Sequence, residues 1–195
     1  YRPFDERKII LHKSLVDRPR TPNIENMNKS NIALTIGRAG QNVGIYYLWN
    51  LCFITNKLSD TNLFRRGGAT IYPLFIYETG EEDLFNNNNG NEKEENLNSE
   101  IRKTINSKYN NRQKYKKETT TNNPLPEEIL GYIYAVLHSP SYRHKYTDFL
   151  KSDFPRIPFT DDEGKFYQLA GLGWELIQKH LLNDIPRDGK YAKLG

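Results

Sequence analysis

The stretch "GYIYAVLHSPSYRHKYTDFLKSDFPRIPF", residues 131–159, determines how the second half of this chain folds. It begins apolar, and Ser139-Pro140 then predicts the start of a short second helix, because proline is favoured in a first helical turn. Pro155 and Pro158 disfavour helical backbone in the residues before them. We therefore predict a core helix, a short basic and aromatic helix, and an extended proline-containing segment.

Two longer helices are predicted: the core helix itself, and a last helix after the extended segment. The first covers residues 127–138, with Pro126 as its start and acidic residues in its first turn. The second opens at Thr160-Asp161 and runs to about Leu182. Helical spacing predicts these inward-facing residues: Ile129, Ile133, Val136 and Leu137 in the first, and Phe166, Leu169, Ala170, Trp174, Ile177 and Leu181 in the second.

The first half has the pattern of strands. Apolar and aromatic runs occupy residues 31–36, 43–49, 51–55 and 70–77, and "RRGG" at 65–68 is a predicted turn. Because of Pro73, we predict that the last run lies at a sheet edge or contains a bulge. The fold class is therefore α+β, with a mostly β N-terminal half and a helical C-terminal half.

We divide the chain into four parts of one domain: 1–78, β-rich; 79–123, a charged insert; 124–182, helical; and 183–195, a tail. Asn supplies 12 of the 38 residues from Asn86 to Asn123. Such a composition does not favour a core, so we expect a mobile loop there. Within it, "LNSEIRKTINSKY" predicts a short helix with Ser99 as N-cap.

The charge is uneven. Residues 1–80 carry 11 Lys/Arg against 6 Asp/Glu, and residues 101–123 carry 7 against 1. A basic first half suits a polyanion partner or simply a solvated surface.

No run approaches the roughly 18 apolar residues of a membrane span, and no signal-peptide pattern is present. Cys52 is the only cysteine. Its surroundings predict a buried thiol of a cytoplasmic protein, and the first residue, Tyr1, makes us expect a piece of a longer polypeptide.

Catalytic patterns are weak. Glu163 and Lys165 have a spacing seen in some nucleases, but no partner acid can be named, and the stretch resembles a helix start. His12, His138, His144 and His180 lack zinc-ligand spacing. Gly37 to Gly44 has spaced glycines without a phosphate-loop pattern, and a hairpin turn is the better interpretation. We predict that this chain alone is not an enzyme and binds no metal or cofactor.

Arg, Asn and Gln recur at predicted loop positions. Arg pairs bidentately with guanine, and Asn or Gln with adenine, whereas Lys and Arg also contact phosphates. Base-reading candidates are Arg38, Gln41, Asn42, Arg65 and Arg66. Phosphate candidates are Arg18, Arg20, Lys57, Arg143 and Lys145.

The order of segments carries a resemblance. The segments that carry it are "YRPFDER" at 1–7, "RPR" at 18–20, "NIALTIGR" at 31–38, "CFITNKLSD" at 52–60, "GGATIYPLFIY" at 67–77, "NLNSEI" at 96–101 and "ILGYIYAVLHSPSYRHKYTDFLKSDFPRIPF" at 129–159. Together they resemble the C-terminal specificity domain of bacterial Type ISP restriction–modification enzymes and related adenine-methylating enzymes. The resemblance extends from Tyr1 to about Leu182.

The resemblance implies a target recognition domain that binds double-stranded DNA and presents an adenine to a methyltransferase domain of the same parent polypeptide. S-adenosylmethionine would bind to that other domain. Two alternatives stay open: a protein-interaction module of a multi-domain enzyme, and a small metal-dependent nuclease using Glu163 and Lys165.

Overall fold

The computed structural model describes residues 6–10, 21–37, 49–60, 62–64, 68–77, 93–116 and 119–183. Five strands lie in the first half: β1 (Ala33–Gly37), β2 (Cys52–Thr55), β3 (Ala69–Pro73), β4 (Phe75–Tyr77) and β5 (Lys93–Glu95). The helices are α1 (Thr21–Met27), α2 (Ser99–Lys108), α3 (Arg112–Tyr115), α4 (Pro126–His138), α5 (Pro140–Lys145), α6 (Thr147–Leu150) and α7 (Glu163–His180). The order of sheet and helices confirms the α+β class.

The main sheet has three antiparallel strands in the order β2-β1-β3. All five residues of the central strand β1 are buried, whereas β2 and β3 alternate or are half-exposed. β3 ends at Pro73, and the chain then pairs in a second sheet, β4 with β5. Proline has no amide hydrogen to donate to a neighbouring strand. The position of Pro73 at the end of an edge strand therefore agrees with the prediction.

α4 and α7 pack directly against each other. A Cβ built on Gly173 would lie 1.8 Å from the carbonyl oxygen of Gly131, and one built on Gly131 would lie 2.4 Å from that of Ala170. No side chain fits at either position, so the two backbones touch directly. The apolar residues on either side of this crossing then interdigitate.

The sheet and the helix pair share one core. Trp49, Leu51 and Ile54 are fully buried in the same cluster as Tyr134, Phe166 and Ile177. Phe53 of β2 stacks on His180 at the end of α7, with ring centroids 5.5 Å apart. The β half and the helical half are therefore parts of a single hydrophobic core.

The proline-containing segment is extended but pairs with no described strand. Its alternate carbonyls accept hydrogen bonds from three tyrosine hydroxyls instead. Tyr142 donates to Arg156 O at 2.8 Å, Tyr132 to Pro158 O at 2.7 Å, and Tyr109 to Thr160 O at 2.5 Å. We call Tyr109, Tyr132 and Tyr142 the tyrosine ladder. It joins the segment to α5, to α4 and to the residue that follows α2.

Residues 93–116 lie within the predicted mobile insert but fold into β5, α2 and α3, of which only the short helix α2 was predicted. Ile105 and Tyr109 are buried, and Arg112 donates to the Glu128 carboxylate at 2.7 Å. Glu128 Oε2 also accepts from Leu125 N at 2.8 Å, so this carboxylate joins α3 to the first turn of α4. Residues 78–92 lie outside the described part, and the four-part division stays a prediction.

The helix ends show smaller corrections. Asn98, not Ser99, caps α2, because its Oδ1 accepts from the amides of Glu100 and Ile101. Asp162 caps α7 by accepting from the amide of Lys165, so the helix begins at Glu163 and not at the predicted Thr160-Asp161. The predictions missed α1, although Pro22 follows Thr21 as in a typical first turn. α4 begins at Pro126 as predicted.

Gly173→Ala should destabilise the protein by about 1–3 kcal/mol or more, because a methyl group must force α4 and α7 apart. Gly171 provides a matched control, since nothing lies within 4 Å of the place that a Cβ would take there. Gly171→Ala should be neutral or stabilising by up to about 1 kcal/mol, from helix propensity. Urea unfolding of both variants tests the crossing. Equal stabilities would contradict it.

Tyr142→Phe should lower the free energy of unfolding by about 1–3 kcal/mol, because it leaves the Arg156 carbonyl without its donor. Tyr146→Phe is the control, because the Tyr146 hydroxyl binds no described residue and its ring is retained. Urea unfolding compares the two. If both changes cost the same, the ladder contributes nothing.

Candidate nucleic-acid interface

The five base-reading candidates lie in segments outside the described residues, but the ends of those segments are described. Arg38, Gln41 and Asn42 fall between Gly37 and Trp49, and Arg65 and Arg66 fall between Phe64 and Gly68. Ile36 pairs with Cys52, and Gly37 pairs with Ala69. The two segments are therefore anchored at the same end of the three-stranded sheet.

Close packing fixes these anchors. Gly37 N donates to Leu51 O at 2.7 Å. A Cβ on Gly37 would lie 2.5 Å from the Leu51 Cβ and 3.0 Å from the Phe64 ring. Leu51 and Phe64 are themselves buried. The sheet thus holds the start and end points of both candidate segments in one rigid cluster.

Lys57 lies beyond the other end of β2. Thr55 pairs with Ala33 at the start of β1, so Lys57 follows the sheet end remote from Gly37. Its Nζ is 2.5 Å from Glu6, in an exposed ion pair. Such surface pairs are worth at most about 1 kcal/mol, and Lys57 stays available to a phosphate.

Arg143 is used inside the protein. Its Nε donates to the Leu137 carbonyl at 2.6 Å, and its guanidinium lies 5.8 Å from the Trp49 ring. Burial holds the pKa of Arg143 below its ordinary value. The carbonyls of the last turn of a helix have no intrahelical partner. Arg143 therefore joins the end of α4 to α5 and to the residues before β2.

Lys145, two residues later, is exposed. Its Nζ lies 5.4 Å from the centroid of the Tyr146 ring. Residues two apart on a helix do not share a face, which explains why two neighbouring cations have different surroundings. Of the phosphate candidates, Arg18 and Arg20 lie outside the described residues, and their role stays a prediction.

An aromatic cleft beside α5 was missed in the sequence. Its volume is about 330 Å³, and it is lined by Tyr142, Tyr146, Phe149, Arg156, Ile157 and Pro158. The available signal was the spacing of Tyr142, Tyr146 and Phe149 at positions i, i+4 and i+7, which is one face of a helical path. The sequence predicts this stretch only as a short basic and aromatic helix.

His138 and His180 meet in the core, with ring centroids 5.5 Å apart. Tyr134 links them: its hydroxyl lies 2.6 Å from His180 Nδ1, and its carbonyl oxygen 3.0 Å from His138 Nδ1. Burial, with the nearby positive charge of Arg143, lowers the pKa of His138 to about 4. Burial also lowers the pKa of His180. Both imidazoles are neutral structural groups near pH 7.

Glu163 is occupied by a structural contact. Its two carboxylate oxygens accept from the backbone amide and the side-chain amide of Asn111, at 2.8 and 3.0 Å. Lys165 Nζ lies 3.6 Å from Asp162. No cluster of three acidic, histidine or cysteine side chains able to hold a metal occurs in the described part of the chain. Burial raises the pKa of the Cys52 thiol to about 12, so it stays protonated.

No helix within the described ranges is both long enough and apolar enough to cross a membrane.

Comparison with known proteins gives one family match. The model of the Type ISP C-terminal specificity domain matches residues 1–192, nearly the whole chain. No curated protein matches significantly.

Solved structures are also similar to this chain. The cryo-electron microscopy structure of a DrdV–DNA complex aligns with a TM-score of 0.54 and 24% identity, over 78% of this chain and 12% of that one. A nuclease-deletion mutant of the Type ISP restriction-modification enzyme LlaGI, in complex with a DNA substrate mimic, aligns with a TM-score of 0.49 and 24% identity, over 82% and 11%. This chain therefore spans about an eighth of the length of the first and a ninth of the second.

The free energy of unfolding should fall as pH falls from about 6.5 towards 4. Because the pKa of His138 is lowered in the folded state, the unfolded chain takes up the proton first, and stability is lost through this window. One such proton contributes up to about 1.4 kcal/mol per pH unit. Urea unfolding at pH 7, 5.5 and 4.5 measures the slope.

His138→Leu should reduce that slope. A slope equal to that of the unsubstituted protein would show that His138 does not titrate between these pH values.

Proposed function

We infer a DNA-reading function from the family to which this chain belongs, the Type ISP C-terminal specificity domains. The chain binds duplex DNA sequence-specifically, as the target recognition domain of a restriction–modification enzyme that methylates adenine. The family match over residues 1–192 is the observation that carries this proposal. The structure of DrdV, which shares the fold, is of a DNA complex, and we extend that partner to this chain.

The sheet geometry supports the proposed placement of the base readers. The segments containing Arg38, Gln41 and Asn42, and Arg65 and Arg66, start and end at one end of the sheet. Side chains that read neighbouring base pairs must come from neighbouring loops on a rigid support. A shared anchor, packed around Gly37, provides such a support.

The catalytic chemistry belongs to other parts of the parent polypeptide. The alignment with this chain covers only 12% of the DrdV chain. We propose that a methyltransferase domain of the same polypeptide holds S-adenosylmethionine and receives the target adenine, and that this chain alone neither methylates nor cleaves DNA.

The phosphate candidates divide into two groups under this proposal. Lys57 and Lys145 are exposed and would bind the backbone. Arg143, by contrast, already donates to Leu137 and faces Trp49, so its main contribution is to fold stability. Arg18 and Arg20 keep the phosphate role as a prediction.

Selection from random duplexes at low and moderate salt should enrich a short site, because base contacts select sequence while phosphate contacts do not. Arg38→Ala or Arg65→Ala should cost about 1–3 kcal/mol and relax preference at one position. Lys145→Ala should weaken binding to all sequences alike and reduce the salt dependence. Sequencing of bound fractions and anisotropy titrations measure both.

Unchanged preference in both arginine variants would overturn the base-reading assignment. Salt-sensitive binding without enrichment would mean that the chain contacts phosphates but needs its methyltransferase domain to read. No duplex binding at low salt would favour the protein-interaction module.

A further inference from the structure

The aromatic cleft lies between the α5–α6 helices and the extended segment 154–160. Tyr146 and Phe149 are half-buried, so their rings are partly open to solvent. The Tyr142 ring beneath is buried, with its centroid 5.0 Å from that of Tyr146. Its hydroxyl holds the Arg156 backbone. The tyrosine ladder thus fixes one wall of the cleft against the other.

Cations stand over these rings. The Arg156 guanidinium lies 5.0 Å from the centroid of Phe149, and its side chain is 81% exposed. Lys145 Nζ stands over Tyr146 and makes no ion pair with any described residue. Among the described residues, Arg156 forms an ion pair with Asp153 at 3.7 Å. That separation exceeds a normal hydrogen bond, so the guanidinium keeps its donors available.

The polar groups of the cleft are also available. Tyr142 uses its hydroxyl within the fold, but the Tyr146 hydroxyl has no partner among the described residues. The cleft therefore combines two partly exposed aromatic rings, the hydroxyl of Tyr146, and two cations on its rim. The acids beside the rim are Asp148 and Asp153, and Lys151 lies 3.8 Å from Asp148. With Lys151 added to Lys145 and Arg156, three described cations around the cleft outnumber these two acids.

We propose that this cleft binds unpaired nucleotides of a DNA strand. Flat rings stack on any base, and flanking cations follow the phosphates on either side, which is how proteins bind single strands without sequence preference. An apolar peptide would leave the rim cations unused, whereas a polynucleotide uses both the rings and the charges. This goes beyond the reading of duplex DNA proposed above.

The site is independent of the base-reading segments. Those segments are anchored at the Gly37 end of the sheet, whereas the cleft is formed wholly by residues 142–158. In a duplex, the bases are stacked and paired, and their faces cannot reach the Tyr146 and Phe149 rings. The cleft is therefore suited to nucleotides that have left the helix.

The test uses the full chain and three fluorescent probes: an eight-nucleotide oligothymidylate, an abasic phosphodiester strand of equal length, and a duplex. The thymidylate should bind more tightly than the abasic strand of equal charge. Tyr146→Leu should weaken thymidylate binding roughly fivefold to a hundredfold, with little effect on the abasic strand or the duplex. Arg156→Gln and Lys145→Gln should weaken binding of both single strands.

Matched controls lie elsewhere on the surface. Tyr72→Leu removes an exposed tyrosine of β3 that does not line the cleft, and Lys103→Gln removes an exposed cation of α2. Neither should change single-strand binding. Circular dichroism and urea unfolding confirm that each variant is folded, and Tyr146→Phe, which keeps the ring, should retain most of the affinity.

The outcomes separate the two proposals. Duplex binding without thymidylate binding overturns the inference and leaves the proposed function standing. Equal binding of thymidylate and abasic strands, or indifference to Tyr146→Leu, overturns base stacking in this cleft. A parallel loss of duplex and single-strand affinity in Tyr146→Leu would make the cleft part of the duplex contact, and this also overturns the inference.

Discussion

The fold depends on the direct contact between the backbones of α4 and α7. No side chain fits at Gly131 or Gly173. The position of α4 along α7 is therefore fixed to within a fraction of a helical turn. Tyr134 and Phe166 reach full burial on the two helices as a result. The sheet rests on the same pair, since Phe53 stacks on His180 at the end of α7. A shift at the crossing would therefore disturb both halves of the molecule.

The extended segment shows how the chain satisfies backbone groups that a sheet cannot. Pro155 and Pro158 have no amide hydrogen, so this segment cannot pair as a central strand. Its carbonyls nevertheless need donors, because buried carbonyls without partners cost about 1–3 kcal/mol each. The tyrosine ladder supplies donors at alternate residues, which matches the two-residue repeat of extended backbone. Since Tyr109 follows directly after α2, the ladder also makes α2 part of the core.

The local sequence pattern was sufficient to predict some of these structural features but not others. Helical spacing and proline positions predicted α4, α5 and the start of the extended segment, because those signals lie within a few residues of one another. The ladder joins residues 14 to 51 positions apart, and no local signal reports such distances. Within the Asn-rich region the sequence predicted the helix α2, but the composition of that region hid β5, α3 and the burial of Ile105 and Tyr109. In the candidate interface, the basic loop positions could be named from the sequence. The aromatic cleft could not, because it forms only where α5 faces the extended segment 154–160.

The structure also changes how the charge of the chain should be interpreted. Arg102 pairs with Glu95, Arg112 with Glu128, and Lys108 with Asp161, so much of the positive charge of residues 101–123 is matched by acids from neighbouring elements. Arg143 is likewise engaged by Leu137. A planar guanidinium with several donors suits these internal contacts, whereas a lysine ammonium stays hydrated at the surface. Among the described residues, the exposed lysines and Arg156 are consequently the cations that remain for an external phosphate. Net charge alone overstates the positive charge that this domain presents at its surface, and the arrangement of the remaining cations around partly open aromatic rings is the more informative feature.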